Sequence, residues 1–256
     1  MSLRLTKQVI YGALYLLFWA ALISGIYFWF LKPAPSCFDN IQNQGEEGID
    51  CGGPCTVACS LKTVKPIETL GRILTFSPDQ EHLSLLVQIN NPNLDYAARS
   101  FSYSFSIYDN QGNVVQTFRG DSFAYAGEIK YILVPNASVP RTGSFGEVKF
   151  RVENLDWVSA SKLRGMPNIV ASGLDVHSAS TSLTVDGRLA NNDTVTFSQV
   201  TVVAIFKGQY GQVAGTSQTT IENLAPNESR PFSVLHPFVP NIDLPGTRVF
   251  VYALRP

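Results

Sequence analysis

The sequence predicts an all-β exterior of two tandem antiparallel β-sandwiches behind one N-terminal transmembrane α-helix. Three observations predict this. An uncharged apolar run lies near the N-terminus, all four cysteines of the 256-residue chain follow it in one short segment, and the remainder alternates short strand-like runs with polar turns. The expected parts are a cytosolic tail (1–8), the membrane helix (9–31), a disulfide-rich stalk (32–62), a first sandwich (63–160) and a second sandwich (161–256).

The apolar run from Val9 to Leu31 has the length of a membrane-spanning helix. It contains no charged residue. At about 1.5 Å per helical residue it spans roughly 34 Å, compared with about 30 Å for the hydrocarbon core of a bilayer. Its aromatic residues lie toward both ends, and Tyr and Trp favour the headgroup layer. The residues predicted at the membrane interfaces are Tyr11, Trp19, Tyr27 and Trp29.

The charges that flank the run predict its orientation. Arg4 and Lys7 precede it, and only Lys32 follows it closely, so the positive-inside rule places the N-terminus in the cytosol and the bulk outside the cell membrane. A cleaved signal peptide is the alternative, although its apolar region would normally be about 7–15 residues. The small residues Ala21 and Gly25 would allow close helix packing, so a homo-oligomer through this helix stays open.

The cysteine cluster predicts a crosslinked stalk. Cys37, Cys51, Cys55 and Cys59 are even in number and are expected in an oxidising compartment, so we expect two disulfides whose pairing stays open. A segment this short buries too little apolar surface to fold alone, and crosslinks would supply its order. Zinc held by four thiolates is an alternative, although the spacing differs from the usual pairs of Cys-x2-Cys.

Oxygen donors in the same segment are candidate calcium ligands. Asp39, Asn43, Glu46 and Asp50 lie in a glycine-containing loop, and Ca²⁺ prefers several oxygen ligands. Their spacing is not that of an EF-hand loop. The alternative is a solvated acidic turn without a metal, and no other cofactor is expected.

Residues 37–59 resemble a small module found in many microbial surface proteins. The usual form of the module is Cys-x-Asp-Gly-x-x-Asn-Gly-x-Glu-x-x-x-Asp-Cys-Gly-Gly-x-Cys. This chain follows that pattern from Cys37 to Cys55 but has Asn40 and Gln44 where the module has glycine. The resemblance implies an extracellular linker and no activity of its own.

Strand-like alternation dominates the chain after Pro66. In the run from Ser100 to Ile107, apolar residues alternate with four serines, which is typical of a strand with one apolar and one polar face. The residues 87–93 and 187–193 align at an offset of about 100 residues, which indicates a tandem duplication. About seven strand candidates in each half, separated by polar turns, predict two-sheet sandwiches.

Each half also resembles known small sandwiches. The first resembles the water-stress or late-embryogenesis-abundant type at Ile89-Asn-Asn-Pro-Asn93, which follows a hydrophobic strand. The second resembles related small sandwiches at Ile221-Glu-Asn-Leu-Ala-Pro-Asn-Glu228, which precedes a strand containing phenylalanine. These resemblances imply an immunoglobulin-like or fibronectin-like fold, and a fold alone does not specify a ligand.

The sequence contains no recognised catalytic motif, and we expect that the protein is not an enzyme. Its histidines, His82, His177 and His236, lie in different predicted elements and fit surface or turn positions. Five aromatic residues near turns are candidates either for a binding face or for the rims of the cores: Phe123, Tyr125, Tyr131, Tyr210 and Phe238.

These features predict a membrane-anchored structural or interaction protein. Its expected partners are membrane lipid and other envelope or surface proteins, in whose assembly it would be a subunit or spacer. With a net charge of −1 and no basic run, nucleic acid is not an expected partner. The alternatives are an adhesin or ligand-binding receptor and, further off, an enzyme with an unrecognised site.

Overall fold

The computed structural model describes residues 3–27, 36–46, 48–57, 64–77, 81–140 and 145–256. The chain divides into two compact units, Met1–Thr63 and Val64–Pro256. The described chain is mostly β, with twelve strands in four three-stranded sheets and one long helix.

The first unit contains the helix α1 (Leu3–Ile26). Large apolar side chains along it are exposed, among them Leu16, Leu17 and Phe18. Within the residues that the structure describes, no helix has both the length and the apolar character required to cross a membrane. The last residues of the predicted span, 28–31, lie outside the described residues.

The second unit contains all twelve strands. They are β1 (Glu68–Phe76), β2 (His82–Asn90), β3 (Tyr96–Asp109), β4 (Val114–Ala124), β5 (Ile129–Ser138), β6 (Phe145–Ser159), β7 (Ile169–Ser178), β8 (Ser182–Asn191), β9 (Phe197–Gly208), β10 (Val213–Leu224), β11 (Ser229–Pro237) and β12 (Ile242–Ala253). A short 3-10 helix, Ala160–Leu163, lies between β6 and β7.

The strands form two sheet pairs with the same topology. In the N-terminal pair, sheet I has the order β1-β2-β5 and sheet II the order β4-β3-β6. In the C-terminal pair, sheet III has the order β11-β8-β7 and sheet IV the order β10-β9-β12. All neighbouring strands are antiparallel. The described chain therefore has six strands in each pair, where the sequence suggested about seven.

Each sheet pair encloses its own apolar core. Between sheets I and II, the alternating residues Phe101, Phe105 and Ile107 of β3 are completely buried. Between sheets III and IV, Phe197 and Phe206 of β9 are equally buried. Because burial of one such side chain stabilises the folded state by about 1.5–3 kcal/mol, these two cores dominate the stability of the unit.

A third apolar cluster joins the two sheet pairs. Leu86 and Leu133 of sheet I pack against Val203 and Ile205 of sheet IV, and all four are buried. The layers therefore follow the order II–I–IV–III. The central strands of the two inner sheets are buried on both faces, which explains their nearly continuous apolar sequences.

Residue type at equivalent positions determines which faces are covered. In sheet I, Leu86 lies between Leu74 and Leu133 on the neighbouring strands. The equivalent residue of sheet III, Asp186, lies between two other polar residues, Asp175 and Ser233. Sheet IV covers the apolar row of sheet I, whereas the polar row of sheet III remains at the surface.

A buried asparagine connects the strands at the same place in each sheet pair. The Nδ2 atom of Asn91 donates to the carbonyls of Tyr96 and Tyr125, both at 2.8 Å. The Nδ2 atom of Asn191 donates to three carbonyls, those of Val195, Leu224 and Ala225, at 2.9–3.1 Å. The same hydrogen-bond pattern thus occurs twice in the chain, at the predicted offset of about 100 residues.

Candidate functional site

The cysteine segment contains a disulfide between Cys37 and Cys55. Cys51 is disulfide-bonded as well, and Cys59 lies outside the described residues. The alternative of a tetrathiolate zinc site is wrong, because the sulfurs of Cys37 and Cys55 are bonded to each other and provide no thiolate. Glu46 lies beside this pair, and the same bond excludes the three residues as a metal centre.

The three carboxylates among the candidate calcium ligands bind the backbone of their own loop, whereas the Asn43 side chain donates to Asp39 and its Oδ1 atom is buried without a partner among the residues that the structure describes. Asp39 accepts hydrogen bonds from the Ile41 amide at 2.9 Å and from the side-chain amide of Asn43 at 2.9 Å. The hydrogen bond from the Asn43 side chain is the main reason why the pKa of Asp39 is lowered. Glu46 accepts from the backbone amides of Asn43 and Asp50, at 3.3 and 3.1 Å. Asp50 accepts from the amides of Asp39 and Asn40, both at 3.0 Å.

These carboxylates therefore hold the loop between the first two cysteines in shape, and calcium binding there stays a hypothesis. Asn40 and Gln44 have φ values of 58° and 43°. Glycine adopts such a left-handed backbone without steric cost, which accounts for glycine at both positions in the usual form of the module.

The residues predicted at the membrane interfaces lie on α1 where they are described. Tyr11, Trp19 and Tyr27 are 69%, 43% and 52% exposed. Lys7 is exposed too, while Trp29 and the side chain of Arg4 lie outside the described residues.

The histidines do not form a site together. His82 is in β2, His177 in β7 and His236 in β11. His177 faces the surface, 3.6 and 3.8 Å from carboxylate oxygens of Asp175 and Asp186. His236 points the other way and stacks on Phe206 with a centroid distance of 5.0 Å. Burial lowers the pKa of His236.

The structure instead brings three of the candidate aromatic residues together where the sheet pairs meet. Phe123 and Tyr125 are in contact, with ring centroids 5.7 Å apart. Tyr131 packs on Phe250 of the C-terminal pair at 5.0 Å. The other two candidates lie elsewhere, with Tyr210 93% exposed and Phe238 47% exposed.

Polar contacts fasten this junction. The Tyr125 hydroxyl donates to the Ala253 carbonyl at 3.1 Å and accepts from the Arg255 amide at 2.9 Å. The Tyr131 amide donates to the hydroxyl of Tyr252 at 3.0 Å. Burial is the main cause that raises the pKa of Tyr125 to about 12, so this hydroxyl keeps its proton at neutral pH.

A buried lysine lies at the same junction. The Nζ atom of Lys130 donates to the Phe123 carbonyl at 3.0 Å and lies 3.5 Å from the centroid of the Phe123 ring and 4.8 Å from that of Tyr252. Burial lowers the pKa of Lys130 to about 8, although the nearby carboxylate of Glu128 acts in the opposite direction. Burial also raises the pKa of Glu128. The rings attract the ammonium, which offsets part of its desolvation cost.

A cleft of about 440 Å³ opens beside this junction. Tyr103, Phe123 and Lys130 of the N-terminal pair line one side of it. The opposite side is the part of sheet IV that sheet I leaves uncovered. We call the cleft between these two sides the junction cleft. A second groove of about 590 Å³ lies elsewhere between the two pairs and includes Leu235, His236 and Phe238.

Comparison with known proteins gives no family for this chain. No protein-family model matches it, and no curated protein matches it. A crystal structure of red sea bream transglutaminase is similar over 73% of this chain and 32% of its own length, with 12% identity and a TM-score of 0.22. The tandem CBM22-1–CBM22-2 domain of Paenibacillus barcinonensis Xyn10C is similar over 75% of this chain and 88% of its own, with 9% identity and a TM-score of 0.14. Both TM-scores are too low to indicate a shared fold.

Proposed function

We propose that this chain is a single-pass, membrane-anchored extracytoplasmic protein that acts as a rigid spacer or interaction subunit of a surface or envelope assembly. The observation that carries the proposal is the packing of Leu86 and Leu133 against Val203 and Ile205. Tandem domains joined by a flexible linker reorient freely, whereas a shared apolar cluster favours one fixed arrangement. A fixed block transmits position and force from an anchor to a partner.

The outer faces of the block suit such a role. Sheet II presents Ser104 between Arg119 and Arg151, and sheet III presents Asp186 between Asp175 and Ser233. Charged and hydroxyl side chains keep these faces wet and oppose further stacking of sheets. Partners would then bind through loops and edges, as is usual for scaffolds of this kind.

The finer classification of the fold belongs to the same proposal. Each pair would be an immunoglobulin-like or fibronectin-like sandwich. That architecture consists of two antiparallel sheets packed face to face. The orders β1-β2-β5 and β4-β3-β6 match three strands of each of these two sheets. The classification rests on strand order and on the resemblances in the sequence.

The membrane anchor is supported by the sequence. The uncharged run that begins at Val9, the aromatic residues along it and the basic residues Arg4 and Lys7 before it are typical of a cytosolic N-terminus. The exposed apolar side chains of α1 are consistent with a lipid environment. A disulfide in the segment that follows fits an oxidising compartment.

Protease accessibility tests the proposed location. In cells that express the full chain with a C-terminal epitope, we expect protease added outside to remove the epitope from intact cells, while the N-terminal peptide stays in the membrane fraction. The matched variant Arg4→Glu with Lys7→Glu weakens the charge bias and should increase the fraction of protected epitope. An epitope that is protected until the inner compartment is opened would contradict the proposal. Mass measurement of the mature N-terminus distinguishes an anchor from a cleaved signal peptide.

A ligand-binding receptor is the second candidate function. The junction cleft is the observation that favours it, because small-molecule sites occur preferentially between domains. Surface capture of candidate ligands by the full chain distinguishes this function from a spacer. An enzymatic role would require a reacting group in this cleft, and turnover of a bound ligand would reveal it.

A further inference from the structure

The junction cleft has the size of a ligand site and a composition that specifies a ligand class. Its volume of about 440 Å³ lies within the range of roughly 300–1,000 Å³ that is usual for small-molecule sites. Sheet I covers Val203 and Ile205 of sheet IV but leaves the neighbouring end of that face open. The fold therefore forms the cleft where the two inner sheets stop overlapping.

Neutral polar groups line the open end of sheet IV. Gln199 and Thr201 on β9 and Gln218 on β10 all border the cleft. In the part of the chain that the structure describes, none of these three side chains has a hydrogen-bond partner. An amide offers two donor hydrogens and an acceptor oxygen, and a hydroxyl offers both functions. Their free groups suit a ligand that both donates and accepts.

Aromatic rings lie along the opposite side. Tyr103 and Phe123 are half-buried and border the cleft from the N-terminal pair, while a third ring, Tyr252 of β12, borders it from sheet IV beside Thr201. Gly120 allows the ring of Tyr103 to cross β4, because a Cβ atom there would lie 2.5 Å from the Tyr103 hydroxyl oxygen. The rings offer flat apolar surface to C–H groups of a ligand, and the two tyrosines among them carry a hydroxyl at the end of the ring.

The charged groups at the cleft already have partners. Arg99 donates from Nε to Asp156 at 2.8 Å. Asp121 accepts a hydrogen bond from Ser102 at 2.9 Å. The ammonium of Lys130 is directed to the Phe123 carbonyl and to two rings. A charged ligand would have to displace one of these contacts, whereas an uncharged ligand would not.

We propose that the junction cleft binds a neutral carbohydrate. Sugar rings combine apolar C–H faces with hydroxyls that donate and accept, which matches aromatic rings on one side and free amides on the other. The ring faces would pack against Tyr103, Phe123 and Tyr252, and the hydroxyls would bond to Gln199 and Gln218. This site adds a ligand to the proposed spacer role and does not depend on the membrane anchor.

A glycan panel with matched variants tests the proposal. The full chain, in a zwitterionic detergent that carries no sugar, is applied to neutral oligosaccharides and to sulfated and sialylated forms of the same glycans. We expect binding to at least one neutral glycan, and weaker binding to its charged forms. Titration calorimetry with that glycan should show at least tenfold weaker affinity for the double variant Gln199→Ala with Gln218→Ala.

The control is Gln111→Ala, in the exposed turn that follows β3, which should bind as the unchanged protein does. The double variant should keep its unfolding temperature, since neither glutamine side chain forms a hydrogen bond to any residue that the structure describes. The proposal is overturned if no neutral glycan of the panel binds, if only charged glycans bind, or if the double variant binds as tightly as the control.

Discussion

The hydroxyl of Tyr125, in the turn between β4 and β5, donates to the carbonyl of Ala253 at the end of β12, at 3.1 Å. The two residues belong to different sheet pairs, and the hydroxyl is buried with its partner. Together with the apolar cluster around Leu86 and Val203, this contact makes the second unit one block of four layers.

Substitution of Leu86 tests the apolar part of this interface. Leu86→Asp places a carboxylate in the cluster that the buried leucine now fills, and we expect a loss of more than about 3 kcal/mol in the free energy of unfolding. The matched control is Asp186→Leu, at the equivalent position of sheet III, whose surroundings are exposed. We expect a change within about 0.5 kcal/mol there. Equal effects in chemical denaturation would contradict the assignment of inner and outer faces.

Substitution of Asn191 tests the buried asparagine connection. Asn191→Ala leaves the carbonyls of Val195, Leu224 and Ala225 without this donor, and should cost about 2–4 kcal/mol of unfolding free energy. The control Asn192→Ala changes an exposed neighbour and should be nearly neutral. Thermal unfolding of both variants measures the difference. A neutral Asn191→Ala would show that these bonds contribute little.

The pH dependence of stability reports on Lys130. Its pKa is about 8 in the folded protein and 10.5 as the reference value. Between these values the unfolded chain binds more protons, so the free energy of unfolding should rise with pH, by at most about 3 kcal/mol. Above pH 10 the raised pKa of Tyr125 acts in the opposite direction, because the folded state then holds its proton more tightly.

Denaturation at intervals from pH 7.5 to 10.5 measures this dependence. Lys130→Met should remove the rise above pH 8, whereas Lys149→Met, on an exposed strand position, should preserve it. A rise of the same size in Lys130→Met would assign the effect to another group.

Substitution of Arg255 tests how the C-terminus is held. Its guanidinium bonds both carboxylate oxygens of Asp193, at 2.7 and 2.8 Å, and both side chains are largely buried. Arg255→Met should cost about 1–3 kcal/mol and increase hydrogen exchange at the amide of residue 255, which now bonds to Tyr125. Arg248→Met, at an exposed position within β12, is the control. Unchanged exchange in Arg255→Met would contradict an anchoring role.

The sequence predicted the strands well where one face is apolar. The serine and aromatic alternation from Ser100 to Ile107 gives the two faces of β3 directly, and the aligned asparagines predicted the repeat. The contact between sheets I and IV was not predicted. Its signal is the near-continuous apolar run Leu83–Val87, because a strand buried on both faces loses its alternation.

The sequence did not predict the junction cleft. Lys130 lies in a strand whose pattern does not distinguish a buried lysine from an exposed one. Gln199 and Gln218 are distant in the chain and meet the N-terminal pair only after the two pairs stack. Long-range packing of this kind leaves no local periodicity for a sequence pattern to report.

The central claim is that the two sheet pairs form a single rigid block. Measurement of the distance between two spin labels, one on each pair, tests this claim most directly. Spin labels at two exposed turns, in Gln111→Cys and Tyr210→Cys combined in the full chain, report one distance across the two sheet pairs. We expect one narrow distance distribution that does not change with salt concentration. A broad or multiple distribution would show that the pairs reorient, and would contradict the account of Leu86, Leu133, Val203 and Ile205 as a fixed interface.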